Sequence, residues 1–243
     1  FSQQLLTPIP NELVFSLVQS GWSPDQLLMM CLERLNNVEN VRFGTITSQN
    51  ELREAGSFER VVQLLVELHR RRAIEVQSNN AVTPNTRSLV FEQETNEDTR
   101  ELIDELKRML GMDPNGSSFR VTERVVMRKP DEITIRVRSL LALMGFLSRG
   151  VDIAVAHLEE KLVDKMAFTI DEVPRSQLFP LRICSQTDRP SDAFVAVQFH
   201  DHWFYISHSD QKSKEAFSLL TYLFLMQAAQ PQTLGPMITV PTS

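Results

Sequence analysis

Glycine is scarce in this chain. Its 243 residues hold eight, which leaves little material for Gly-rich catalytic loops, and no phosphate-binding glycine loop or nucleotide fingerprint occurs. Cysteine is scarcer still, with Cys31 and Cys184 the whole complement. Cys31 lies in the apolar helical pattern LLMMCLERL and Cys184 in the strand pattern LRICSQ. Both read as small buried hydrophobes, and neither spacing nor context supports a disulfide between them. A basic excess is also missing. The net charge of −6 argues against a general nucleic-acid binder, which needs clustered Lys and Arg, although a local patch at Arg70, Arg71 and Arg72 stays open. The longest apolar runs, such as SLLALMGFL, have the length of a core helix and fall short of a membrane span. There is no internal repeat or low-complexity tract. The chain starts at Phe1 rather than Met, so a processed product or an excised fragment is expected, with any targeting leader outside it.

What is present is ordinary globular material. Apolar residues make up 42% and charged residues 23%, enough for a substantial core in one large domain or two modest ones. Pro10 and Asn11 open an apolar-periodic run that Gly21 closes. A second helix follows, with Ser23 as N-cap, Pro24 at its first position and Gln26 completing a capping box. NNVENVRFGTITSQN reads as a loop. Ser57 caps the next helix, whose Val61, Leu64, Leu65 and Leu68 share a face. Its basic end, His69 to Arg72, suits the negative end of the helix dipole. AIEVQ (73–77) and SLVFEQ (88–93) suggest a hairpin with a long connection. A helix is expected from Glu97 to Leu110, ended by Gly111.

DPNGSS (113–118) is the clearest loop and the expected boundary between halves. FRVTERVVMR reads as a strand, and EITIRVRSLLALMGFLSRG starts as alternation and becomes helix near Val137, with Gly150 as its cap. DIAVAHLEEKL reads as a short helix. Three strands and a closing apolar helix, capped by Ser209 or Asp210, follow. The expected fold class is α+β: N-terminal helices with a β-hairpin, then a C-terminal antiparallel β-meander packed against helices. The expected units are a mainly helical half over 1–112, an α+β half over 119–229 and an extended tail over 230–243.

The stretch AFVAVQFHDHWFYISHSD crowds three histidines, Trp203 and Tyr205 together. A hairpin with the turn His200-Asp201 pairs Phe199 with His202, Val197 with Phe204 and Val195 with Ile206 on a mostly apolar face. The other face pairs Gln198 with Trp203 and Ala196 with Tyr205. This register explains the residues without chemistry. His208 lies roughly 20 Å from His202 along such a strand, too far to share an ion, and His200 with His202 would need a third ligand from elsewhere. No metal and no cofactor is therefore expected. No G-x-S-x-G elbow occurs, neither cysteine has an adjacent His, and acid pairs such as Glu159-Glu160 read as solvated helix surface, so no catalytic residue is assigned. Trp203 and Tyr205, large and stiff with polar tips, suit a binding surface unless the 211–229 helix covers them. Arg136 and Arg138 are further candidate partner contacts. At least one of them is expected to be buried against a carboxylate, Asp210 or Asp192. Asp210 and Lys214 are expected to be structural polar residues.

The blocks LLTPIP, QSGWSPDQLLMMCLERLNNVEN, TIRVRSLLALMGFLSRGVDI and RPSDAFVAVQFHDHWFYISHSDQKSKEAFSLLTYLF resemble successive blocks of an uncharacterised family of proteobacterial exported, lipoprotein-like proteins. The resemblance spans most of the chain and implies an envelope location, periplasmic or outer-membrane associated, with any membrane attachment through an anchor outside this chain. It implies no activity. The sequence departs from the family pattern at His200-Asp201 and Ser207-His208, whereas Trp203, Phe204, Tyr205, Asp210, Ser213, Lys214, Arg136, Arg138 and Ser139 fit it. The functional expectation is a non-enzymatic protein-interaction module, a subunit or accessory of a cell-envelope assembly, with protein partners that include a second copy of itself and no nucleic acid. The alternative is a hydrolase acting on envelope material, with its site between the meander and helix 137–149.

Overall fold

The computed structural model describes residues 2–40, 49–78, 87–93, 95–123, 129–154, 157, 159, 160, 162 and 179–228. The expected tail 230–243, the 79–86 connection, loop residues 41–48, the 124–128 end of the FRVTERVVMR strand and residues 155, 156, 158 and 161 of the expected DIAVAHLEEKL helix lie outside the described residues.

The chain is mixed α+β. The helices are α1 (Ser2–Leu6), α2 (Asn11–Gln19), α3 (Pro24–Cys31), α4 (Gln49–Arg70), α5 (Glu97–Met109), α6 (Leu140–Leu147) and α7 (Gln211–Ala228). The strands are β1 (Leu32–Leu35), β2 (Val38–Glu39), β3 (Ile74–Ser78), β4 (Arg87–Phe91), β5 (Ser118–Thr122), β6 (Glu132–Val137), β7 (Cys184–Gln186), β8 (Ala193–Phe199) and β9 (His202–Ser207). Among the described residues the strands form two sheets, one ordered β2-β1-β6-β5-β4-β3 and one ordered β7-β9-β8.

Alternation makes the larger sheet one-sided. Leu89 and Phe91 of β4, Phe119 of β5, and Ile133, Ile135 and Val137 of β6 turn into the core, while Arg120 and Arg136 face outward. Phe58, Val61, Leu64 and Leu68 of α4 and Ile103 and Leu106 of α5 complete that core, each large side chain contributing about 1.5–3 kcal/mol by burial. β5 and β6 run parallel; the other neighbours in the two sheets are antiparallel. The sheet draws strands from both sides of loop 113–118, and one buried cluster reaches from Ile9 to Leu223.

Several local expectations are met. α2 runs from Asn11 to Gln19 and the chain turns at Gly21, whose φ of +91° suits glycine. α5 starts at Glu97, behind Asn96, whose side chain accepts from Thr99 N, and ends before Gly111 at φ +58°. Ser139 caps α6 by accepting from Ala142 N.

Others need correction. The helix through LLMMC stops at Cys31, and LERL becomes β1, because pairing with β6 takes over there. Asn36 turns the chain at φ +49° into β2, where a loop was expected. The capping box at Ser23 does not form: the Ser23 hydroxyl donates to Asp25 and the Gln26 amide reaches the Lys212 carbonyl at 2.6 Å. α4 begins at Gln49, so Ser57 lies inside it. Finally, β9, last of the three C-terminal strands in sequence, occupies the centre of their antiparallel sheet.

Candidate functional site

The β8–β9 hairpin is the surface the sequence singles out. Its observed pairs are Phe199 with His202, Gln198 with Trp203, Val197 with Phe204, Ala196 with Tyr205 and Val195 with Ile206, the expected register. His200 makes the turn at φ +49°. A bulge between Ala193 and Val195 lets Phe194 meet Phe217 of α7 edge-on at 6.5 Å, with the Lys214 ammonium 6.0 Å from its ring. Asp210 holds the start of α7, accepting from Ser213 N at 3.0 Å and from the Ser213 hydroxyl at 2.7 Å. That hydroxyl accepts in turn from Arg182 N. Asp210 thus serves as a helix cap, and the carboxylate 3.1 Å from Arg136 is Glu33 rather than the expected Asp210 or Asp192.

The apolar face of the hairpin is only half covered. Ile206 is buried and Val195 and Phe204 are half-buried, but toward the turn Val197 and Phe199 are 60% and 55% exposed. On the other face Trp203 and Tyr205 are half-buried, and the Arg189 guanidinium lies 5.5 Å from the centre of the Trp203 ring. Among the described residues β8 is an edge strand.

A third histidine arrives from a distant segment. Buried His157 stacks on Phe204 at 5.9 Å and lies 4.7 Å from the His202 ring and 6.0 Å from His200. His157 Nε2 and His202 Nδ1 are buried without hydrogen-bond partners. Among the described residues no set of three or more His, Cys, Asp or Glu is placed to hold a metal ion. The proximity of His157 left no mark in the sequence, because the contact spans more than forty residues and has no periodic signature.

Arg136 and Arg138 part company. Arg138 is 2% exposed, and its Nη1 donates to the carbonyls of Met30 and Leu32 at the end of α3. Its guanidinium lies 4.2 Å from the Phe146 ring centre. Burial lowers its pKa to about 10, with Glu33 opposing that fall, so it stays charged at neutral pH. The expected burial is found, but the role is to close a helix C-terminus, where carbonyls lack donors and the dipole is negative. So deep a side chain is no surface for a partner. Arg136 is the outward one, 3.1 Å from Glu33.

Two further regions could host chemistry. The basic end of α4 is taken up internally: Glu67 binds Arg70 at 2.7 Å and Arg71 at 2.6 Å, and these hydrogen bonds lower its pKa to about 2. Glu67 thus offsets part of the positive charge a phosphate would need. A polar cleft of about 210 Å³, where α3, α4, Pro180 and α7 meet, gathers Asp25, Glu59, Glu215 and Lys212. It lies away from the interval between the three-stranded sheet and α6 where a hydrolytic site was expected.

No family model, curated protein or solved structure matches the chain.

Proposed function

We propose that the chain is a non-enzymatic protein-interaction module, a subunit or accessory of a bacterial cell-envelope assembly. One observation carries this reading: among the described residues β8 is an edge strand that presents Val197 and Phe199 to solvent. An unpaired strand edge offers a row of free N–H and C=O groups, and exposed alternate side chains add specificity to a strand laid against it. Trp203 and Tyr205 supply stiff amphipathic contacts on the opposite face of the hairpin. Arg136 is an accessible contact on the outer face of the larger sheet. Arg138 and Asp210 support the fold from beneath. The envelope location rests on the resemblance of the sequence blocks alone.

The test compares the wild-type chain with a Val197→Asp/Phe199→Asp variant. Size-exclusion chromatography with light scattering reads self-association, and affinity purification from envelope extracts reads other partners. The expected result is an oligomer, or one stoichiometric companion, that the variant loses while keeping its circular dichroism spectrum. A strict monomer at micromolar concentration, with the same recovery for both proteins, would overturn the proposal.

A further inference from the structure

On the core side of the larger sheet lies an apolar cleft of about 110 Å³, between the sheet and helices α2, α3 and α4. Phe15 and Val18 of α2, Leu28 of α3, and Leu89, Val121 and Ile133 of three strands wall it. His69, exposed at the end of α4, is the polar side chain of its lining. Interiors are normally packed without such space, and apolar cavities of this order stay dry and accept small apolar guests.

Arg87 is not one of the walls, but it adjoins three of them, Phe15, Leu89 and Val121. Side chains two apart on a strand share a face, so Arg87 of β4 stands on the same side as Leu89. The register that pairs Ser88 with Arg120 and Leu89 with Phe119 sets Val121 beside Arg87. The Arg87 guanidinium lies 4.8 Å from the centre of the Phe15 ring. Its Nη1 is buried and has no hydrogen-bond partner. Glu123, just beyond β5, accepts from the Asn11 amide at 2.8 Å. Buried donors in proteins are almost always matched, and an unmatched guanidinium nitrogen beside the walls of an apolar cleft is complementary to an anion that carries a hydrocarbon chain.

We propose that this cleft binds a medium-chain fatty carboxylate, with the alkyl chain between α2 and the sheet and the carboxylate accepting a charge-assisted hydrogen bond from Arg87 Nη1. Arginine suits the role because it stays ionised and matches carboxylate geometry. The site is separate from the hairpin edge and would give the interaction module a lipid-derived ligand of its own.

The test is calorimetric titration of the full chain with sodium octanoate, 1-octanol and sodium acetate. Octanoate should bind saturably at one site, octanol at least tenfold more weakly, and acetate not at all. Arg87→Gln should bring octanoate down to the level of octanol and leave octanol unchanged. Val121→Phe, which fills the cleft, should abolish both. Circular dichroism of each variant checks the fold. If Val121→Phe does not fold, competition of octanoate against a cleft-bound fluorescent fatty acid on the wild type replaces it. Equal binding of octanoate and octanol, an Arg87→Gln variant that binds octanoate like the wild type, or no saturable binding of either would overturn the proposal.

Discussion

Removing the Arg138 side chain leaves the carbonyl oxygens of Met30 and Leu32 inside the protein without this donor. A buried acceptor without a partner costs about 1–3 kcal/mol, and the contact with Phe146 goes as well. Arg138→Met, which keeps much of the apolar stem, should therefore destabilise the chain by about 2–4 kcal/mol in chemical denaturation. Arg136→Ala should cost less than about 1 kcal/mol, because its pair with Glu33 is exposed. Equal losses would mean that the carbonyl contacts are not what Arg138 supplies. Cys31, beneath the same helix end, gives a pH dependence. Burial pushes its thiol from an ordinary 9.0 up to about 12, against the pull of Arg138. Between those values the unfolded chain releases the proton while the folded chain keeps it, so stability falls as pH rises from about 9 toward 12. Denaturation midpoints over that range should decline more steeply for the wild type than for Cys31→Ala, which has no proton to lose.

Elements differ in how much their own residues decide. The β8–β9 hairpin depends on one awkward residue, His200 at φ +49°, a conformation that costs an L side chain about 1–2 kcal/mol. His200→Gly should relieve part of this and stabilise the chain by about 0.5–1 kcal/mol, read as a higher midpoint in thermal unfolding. A loss instead would show that the His157–His200 contact outweighs backbone strain. The hairpin register, α2, α5 and the strand-to-helix passage near Val137 were legible in the sequence because local signals agreed there: period-two alternation, helical spacing of apolar residues, and Gly21 and Gly111 as stops. β1 was not legible. Leu32 and Leu35, three apart, fit a helical spacing, and only the bulge between Leu32 and Arg34 lets both be buried from a strand; the choice is made by β6 and by the donors that Arg138 and Asn40 bring to the end of α3. The true start of α4 was hidden because Gly56 and Ser57 look like a helix beginning, yet Phe58, Val61 and Leu64 anchor a helix already under way. Of the candidate site, Trp203 and Tyr205 could be placed on one face in advance. The cleft beside Arg87 could not, because α2, α3, α4 and five separate strands supply its walls and no local pattern marks such a convergence.

At the scale of the whole molecule, the two sheets are tied together near Gly150. Ile183 N donates to the Gly150 carbonyl at 2.9 Å, and Asp152 N to the Ile183 carbonyl at 2.7 Å. This joins the end of α6 to the segment entering β7. The strands of the tie approach so closely that a Cβ on Gly150 would run into the carbonyl oxygen of Leu181, a backbone atom that cannot rotate away. Phe146 and Phe179, edge-on at 5.8 Å, pack beside it. Gly150→Ala must displace either α6 or the strand entry, and should cost about 2–4 kcal/mol. Gly56 provides the contrast. It lies inside α4, and nothing stands within 4 Å of where its Cβ would be. Gly56→Ala should therefore stabilise by about 0.5–1 kcal/mol through helix propensity alone. If Gly150 acts as the tie, hydrogen exchange in Gly150→Ala should quicken first at the amides of β7 and β9, while those of β4 and β5 keep their wild-type protection. Uniform acceleration across both sheets would instead mean that the two unfold as one cooperative unit without a weaker seam between them.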